Sequence, residues 1–313
     1  AKPCYPGICK LPDCFCSGTE IPGNLSVSSI PQIVFVSFDA FVSSAPFFFY
    51  ETLFDGSLKN PNGCNISATF FVSHEYTNCC EIQDLYSQRH EIGHNSISCL
   101  LPSSWWANAT QEGQREEILG MRDILRKWGN VKAEDVKGYR APYIQVGGNM
   151  EFKVLKDEGF LYESSMPTQK FTDPPLWPYT LDYRSSQDCQ IPPCPNESFP
   201  GLWEVPIADY FNEKGISCHR IDSCAPNIQS YRPFKDLLDS NFQLHYKTNK
   251  APFFMPLSAE WLGDFYRREA TEVFLRKLTS MGDVWIVTVS QGLEWIKNPT
   301  TLDKIKDFKP WKC

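Results

Sequence analysis

The sequence predicts an α/β fold, a parallel barrel built from strand–helix units. Two observations carry this. Strand-like and helix-like segments alternate about seven times along the 313 residues, and the strand-like runs are short and rich in β-branched and aromatic residues, as buried strands are. Residues 1–30 contain the cluster CYPGICKLPDCFC and read as a cysteine-rich N-terminal segment tied to the barrel. The barrel itself is expected over 31–297, with a tail at 298–313. QIVFVSF (32–38) and SATFFV (67–72) are its first two strands. QREEILGMRDILRKWGN then forms an amphipathic helix, with Ile118, Met121, Leu125 and Trp128 at one-face spacing and Gly129 as its stop. KGYR, FLYES, LWEVP, PFFMPL and DVWIVTV supply further strands, and MEFKVLKDE, YRPFKDLLDSNFQLHY and REATEVFLRKLTSM supply helices. Residues 185–230, rich in Cys, Pro and Asn, are expected to be one long disulfide-tied loop. Chemistry in such a barrel belongs at the C-terminal ends of its strands.

Composition excludes several classes of function. An apolar content of 42% and an aromatic content of 14% build a substantial core. A net charge of −7 with no basic run argues against nucleic acid or an anionic membrane as partner. The longest aromatic-rich run, APFFFYETLF, is too short and too interrupted to span a bilayer. Thirteen cysteines point to an oxidising compartment, and their C-x-C and C-x4-C spacings favour disulfides over a zinc ribbon. Sequons at Asn24, Asn65, Asn108 and Asn196 agree with a secreted, extracellular glycoprotein, and a start at Ala1 fits a processed mature chain.

The stretch RHEIGHNSISCL (89–100) contains His-Glu-x-x-His, the pattern of a zinc-protease helix in which His90 and His94 bind metal and Glu91 is the base. That pattern requires the two histidines one helical turn apart. This segment has strand spacing and no third ligand nearby, so the match is read as coincidence.

At the predicted strand ends the chain resembles the invertebrate chitin deacetylases of the polysaccharide deacetylase family (carbohydrate esterase family four). The resemblance rests on ordered blocks that include IPGNLSVSSIPQIVFVSFDA, NPNGCNISATFFVSHEYTN, GHNSIS, VKGYRAPYI, LYESSM, LWPYTLDY, FPGLWEVPI and APFFMPLSAEW. It implies a distorted, NodB-like (β/α)7 barrel with disulfide-tied loop insertions and a groove for a β-1,4-linked N-acetylglucosamine polymer. It also implies zinc or a similar ion in active relatives. Within the family's T-F-D-D motif, Asp39 matches the base while Ala40 stands in place of a ligand carboxylate. In the H-[ST]-x-x-H motif, Asn95 and Cys99 stand where both histidines belong, and Ser258 replaces the late histidine that acts as acid. Arg140 matches the residue that orients the base and Tyr143 the backbone oxyanion donor. Trp177 and Leu257 match the walls of the acetyl pocket.

No metal cofactor is therefore expected. Rebuilding a site from Asp39, His90, His94 and Cys99 would need His94 to face the groove, and strand alternation puts it on the opposite side from Asn95 and Cys99. His74, His219 and His245 match no catalytic position and are read as packed or surface imidazoles. With Cys99 set aside as a buried free thiol, twelve cysteines could close six bridges; the alternative pairs Cys99 with Cys79 or Cys80. Three functions follow. The first is an inactive homologue whose groove binds chitin or a related glycan. The second is a carrier for a small apolar ligand, or a scaffold for a protein partner, suggested by the aromatic run after Asp39. The third is an active deacetylase with unusual ligands.

Overall fold

The structure, a computed structural model, describes residues 1–5, 7–40, 42–225 and 229–313, and the side chains of residues 40, 44 and 45 lie outside that description. Among the described residues the strands are β1 Gln32–Ala40, β2 Thr69–Val72, β3 Glu91–His94, β4 Gly138–Tyr139, β5 Tyr162–Glu163, β6 Pro167–Thr168, β7 Tyr179–Leu181, β8 Phe199–Glu204, β9 Ile207–Ala208, β10 Tyr210–Phe211, β11 Ser217–Cys218, β12 Phe253–Ser258 and β13 Val284–Ile286. The helices are α1 Ser44–Leu53, α2 Cys79–Ser87, α3 Ser104–Asn108, α4 Gln111–Trp128, α5 Gly148–Asp157, α6 Ile221–Cys224, α7 Tyr231–Tyr246, α8 Ala259–Gly263, α9 Phe265–Thr279 and α10 Val289–Lys297.

Nine strands make one sheet in the order β12-β1-β2-β3-β4-β5-β8-β7, with β13 also on β1. The seven from β12 to β8 run parallel, and β7 is antiparallel to β8. The long strand β1 is central. β12 follows it along one edge, while β13 and then β2 share the other: Val34 sits between Phe253 and Ile286, and Ser37 between Pro256 and Thr69. Among the described residues no pairing joins β7 or β8 to β12, so the barrel is distorted and open at that seam. The N-terminal segment covers the β7 edge. Thr180 N–H donates to Phe15 O at 2.9 Å, and Trp177 N–H donates to Gly18 O at 3.1 Å, which satisfies groups that an exposed edge would leave open.

Alternation along β1 divides the core. Ile33 and Phe35 pack inward with Phe71, Tyr162, Trp203 and Phe254. Val34, Val36 and Phe38 face the helical layer, where they meet Phe70, Met255 and Leu257 together with Phe242 of α7 and Phe274 of α9. This assigns each strand residue a side, and the side decides what it can do at the site.

Three expectations are corrected, and one segment whose conformation was left open is assigned. Ile118, Met121 and Leu125 of α4 are buried, but Trp128 is 58% exposed because it falls in the last turn, past the end of the packed face. Residues 185–230 are not a single loop: apart from 226–228, outside the described residues, they contain β8 to β11 and α6. The aromatic run after Asp39 is a helix, α1, with Pro46 in its first turn, where no intrahelical N–H is required. Five disulfides form among the described residues, Cys4–Cys16, Cys9–Cys14, Cys64–Cys313, Cys189–Cys194 and Cys218–Cys224, rather than six. Cys79 and Cys80 open α2 side by side and, like Cys99, are free thiols.

Cys64–Cys313 spans 249 residues and fastens the C-terminal tail below α10. In the chain-entropy picture a closure that long contributes about 2–5 kcal/mol. The double substitution Cys64→Ser/Cys313→Ser should lower unfolding free energy by that amount in urea titrations, whereas removing the short Cys189–Cys194 loop should cost less.

Candidate functional site

At the C-terminal mouth of the barrel a cleft of about 140 Å³ is lined by Asp39, Asn95, Cys99, Arg140, Ala141, Pro142, Tyr143, Ile144 and Arg220. Its foundation is Arg140, which follows β4 and has a side chain only 1% exposed. Nη1 donates to Asp39 Oδ1 at 2.7 Å and to Ser37 Oγ at 3.1 Å. Nε donates to Ser164 O at 2.6 Å, and Nη2 to Ser164 Oγ at 3.0 Å. The guanidinium also lies over the rings of Phe71 and Phe254, at 4.1 and 4.9 Å. Asp39 and Ser37 reach it because they share the inward face of β1.

The loop after β3 brings Asn95 and Cys99 together. The sequence assigned this to strand alternation, but β3 ends at His94, and the chain turns back through left-handed Ser96 (φ 83°) and Cys99 (φ 46°). The Cys99 thiol donates to Asn95 O at 3.4 Å and to Asn95 Oδ1 at 3.6 Å. Across the cleft Tyr143 and Ile144 also hold positive φ, 59° and 54°, and the Tyr143 hydroxyl donates to Cys99 O at 2.8 Å. Four of the nine non-glycine residues with positive φ among the described residues thus adjoin one small cleft. For a β-branched residue such as Ile144 this is costly, of order 1–3 kcal/mol.

Other expected site residues lie elsewhere. Ala40 closes β1, and its side chain is outside the described residues. Leu257 pairs with Phe38 on the helix-facing side of the sheet and is 1% exposed, so alternation turns it away from the cleft. Trp177 is fully buried and stacks on Trp295 at 6.0 Å, wedged between the sheet and α10. Neither lines the cleft. Ser258 caps α8, accepting from Trp261 N–H and donating to Asp222 Oδ1, both at 3.0 Å. Arg220, which sequence reasoning missed, comes from the segment expected to be loop.

The His-Glu-x-x-His residues sit on opposite sides of the sheet wall. Glu91 points inward at the base of the barrel, accepting from Tyr162 Oη at 3.0 Å, Thr69 Oγ1 at 3.2 Å and Ser290 N–H at 2.9 Å. His94 faces outward against Tyr139 and Phe160. His90 accepts from Ala68 N–H through Nδ1 at 3.1 Å. No helix carries them.

The family's metal can be tested against the donors present. The cleft offers one carboxylate already paired with Arg140, one amide and one thiol. Burial pushes that thiol up, away from the thiolate a metal requires. Among the described residues the only three His, Cys, Asp or Glu ligand atoms close enough to share an ion are on Cys4, Cys9 and Cys16, all in disulfides. These residues do not fit the metal.

The distorted parallel barrel is the fold of NodB-like polysaccharide deacetylases. A solved structure described as a probable polysaccharide deacetylase from Pseudomonas aeruginosa PAO1 superimposes with a TM-score of 0.55 at 16% identity, over 86% of this chain and 92% of that one. No protein-family profile matches the chain. It is 38% identical to Chitin deacetylase 1 of Bombyx mori over all of its own length, and spans 60% of that protein. It is 36% identical to Chitin deacetylase 8 of Bombyx mori, over 98% of the chain and 81% of that protein. The chain belongs to the chitin deacetylase family.

Two outcomes follow from the buried charges. Arg140→Met leaves Asp39 and Ser164 without their partner and should cost about 3–5 kcal/mol in urea unfolding. Asp39→Asn/Arg140→Met should cost less than the sum of the single substitutions.

The second outcome concerns pH. Burial brings His90, His94 and His245 down to about 4, about 3 and about 4, so the stability they confer is present above 6.5, the usual histidine value, and lost as pH falls from there towards 4. Burial raises Glu151, Glu163 and Glu204, and the charge of Glu163 adds to the rise of the other two. Their contribution is full below the ordinary carboxyl value of 4.5 and lost as pH rises. The two sets oppose each other between 4.5 and 6.5, and only the carboxyl set acts above that. Glu204→Gln should flatten the decline in urea midpoint as pH rises above 6.5.

Proposed function

We propose that this chain binds chitin or a related N-acetylglucosamine glycan in the cleft at the barrel mouth, and that it has given up metal-dependent deacetylation. The observation that carries this is the pairing of a strained, arginine-anchored cleft with a donor set unsuited to metal. Keeping four residues at positive φ costs stability, and such cost persists where surrounding structure and use sustain it. Bound metal lowers the pKa of water from about 15.7 to about 7, about 12 kcal/mol of acidification. Asp39, held by Arg140, has no means of replacing it, and the acid position is occupied by Ser258 as a helix cap.

Exposed apolar side chains support a surface for a polymer. Phe48, Tyr76, Leu100, Leu101, Tyr143 and Phe265 are exposed, and each lies on a segment that follows the C-terminal end of a parallel strand. The carrier reading has less support. It required the aromatic run of α1 to fill the cleft, but Phe47 and Phe49 pack on the helical core and Phe49 lies under Arg268 at 4.5 Å. Secretion and glycosylation fit this function: five disulfides suit an extracellular setting, and the asparagines of all four sequons are exposed. No helix among the described residues is long and apolar enough to cross a membrane.

Natively purified protein should be retained on chitin beads and not on an uncharged, non-carbohydrate matrix, carry no stoichiometric zinc by elemental analysis, and release no acetate from chitin oligomers with zinc added. Failure of retention removes the binding half. Stoichiometric zinc with acetate release would restore the deacetylase reading.

A further inference from the structure

The donor set unsuited to metal is accompanied by a cation that the protein supplies itself. Arg220 lines the same cleft as Asp39, Asn95, Cys99 and Tyr143. The backbone around it is held on both sides. The preceding residues form the β10–β11 hairpin, in which Tyr210 pairs with Cys218. The Cys218–Cys224 disulfide, with a sequence separation of 6, encloses Arg220 in a short loop. His219 Nδ1 bonds Asp209 Oδ1 at 2.8 Å, and that aspartate side chain is fully buried. After Arg220, Ser223 N–H donates to the Arg220 carbonyl at 3.0 Å, and Asp222 accepts from Ser258 Oγ at 3.0 Å and faces Arg267 at 3.6 Å.

The guanidinium itself contrasts with this. Among the described residues it has no hydrogen-bond acceptor or carboxylate partner, although its neighbours along the chain are pinned. The other charges at the cleft do not supply one: Asp39 is taken by Arg140 at 2.7 Å, and Asp222 by Arg267 and Ser258. Among the lining residues the Asp39–Arg140 pair sums to zero and Arg220 is the one charge left over, with Glu117 and Glu75 farther out beside Cys99 and Tyr143. A guanidinium fork placed in advance and lacking a protein partner matches carboxylate or sulfate, which it binds through paired N–H donors. Ordering its backbone beforehand removes part of the cost that binding would otherwise carry.

We propose that Arg220 is the recognition residue for an anionic sugar substituent, a carboxylate or sulfate, so that the cleft prefers an acidic N-acetylated glycan over neutral chitin. This rests on the glycan-binding reading above and narrows its ligand class. The site that in relatives would use a metal cation here presents an arginine on a pinned backbone, which holds an anion.

The test is titration calorimetry with three hexasaccharides: neutral chitin, an oligomer alternating N-acetylglucosamine with glucuronate, and a sulfated oligomer alternating N-acetylgalactosamine with glucuronate. The intact protein should bind at least one acidic hexamer about tenfold or more tightly than the neutral one, about 1.4 kcal/mol, and salt should weaken that preference. Arg220→Gln should abolish the preference, bringing the acidic hexamers to the affinity of the neutral one, while Arg220→Lys should keep part of it. A gain seen with both acidic hexamers assigns the carboxylate, and a gain confined to the sulfated one assigns the sulfate. Equal affinity for all three probes, or an acidic preference that survives Arg220→Gln with folding intact by circular dichroism, overturns the inference while the glycan-binding reading stands. Binding to none of the three overturns both.

Discussion

Across the C-terminal mouth of the barrel lies a guanidinium almost closed to water, and much of the sheet is arranged around it. Arg140 leaves β4, bonds Ser37 and Asp39 on β1, bonds Ser164 just past β5, and rests on the rings of Phe71 from β2 and Phe254 from β12. Ser164 passes the connection on, donating through Oγ to Val205 O at 2.9 Å beyond β8. A buried charge of this kind is expensive unless every donor is used and a counter-charge lies beside it. Here four of the five N–H donors are used and Asp39 supplies the counter-charge, so the strands cannot shift without breaking several charge-assisted bonds at once. Asp39 is held in place by this arrangement whatever its chemical use.

The cleft is built upon that anchor from loops in costly conformations. The Asn95–Cys99 turn and the Tyr143–Ile144 turn face each other and are joined by the bond from Tyr143 Oη to Cys99 O. In a chain that merely lost a reaction, strained turns could relax through glycine or shortening. Their presence beside the Cys99 thiol and the Asn95 amide is what the proposed binding role accounts for. Arg220 adds a charge from the opposite wall, brought there by a hairpin and a disulfide rather than by any barrel strand.

The framework was readable in the sequence because burial on both faces writes strands as dense apolar runs. QIVFVSF and PFFMPL became β1 and β12, and YRPFKDLLDSNFQLHY is α7 residue for residue. Helix α1 was not readable because its consecutive phenylalanines carry no one-face periodicity, and β7 was not because an antiparallel edge strand of three residues has no pattern of its own. At the site, Asp39, Asn95, Cys99, Arg140 and Tyr143 were placed by motif and do meet in one cleft. Trp177 and Leu257 do not, since motif position fixes a residue along a strand but burial on the far face removes it from the mouth. Arg220 carried no signal: nothing local marks a loop residue whose position depends on a hairpin, a disulfide and an Asp–His bond. The pattern around Glu91 shows the converse case, three fixed letters that suggested a metal helix and became an outward histidine, an inward glutamate and a capping imidazole.

The central claim is that this cleft holds an N-acetylated glycan without metal. Hydrogen–deuterium exchange with a bound N-acetylglucosamine hexamer, run in a strong chelator, addresses it directly. Protection confined to residues 95–103 and 140–147, and unchanged by the chelator, is the predicted result. Protection that appears only when zinc is supplied, or that maps away from those two turns, would contradict the account.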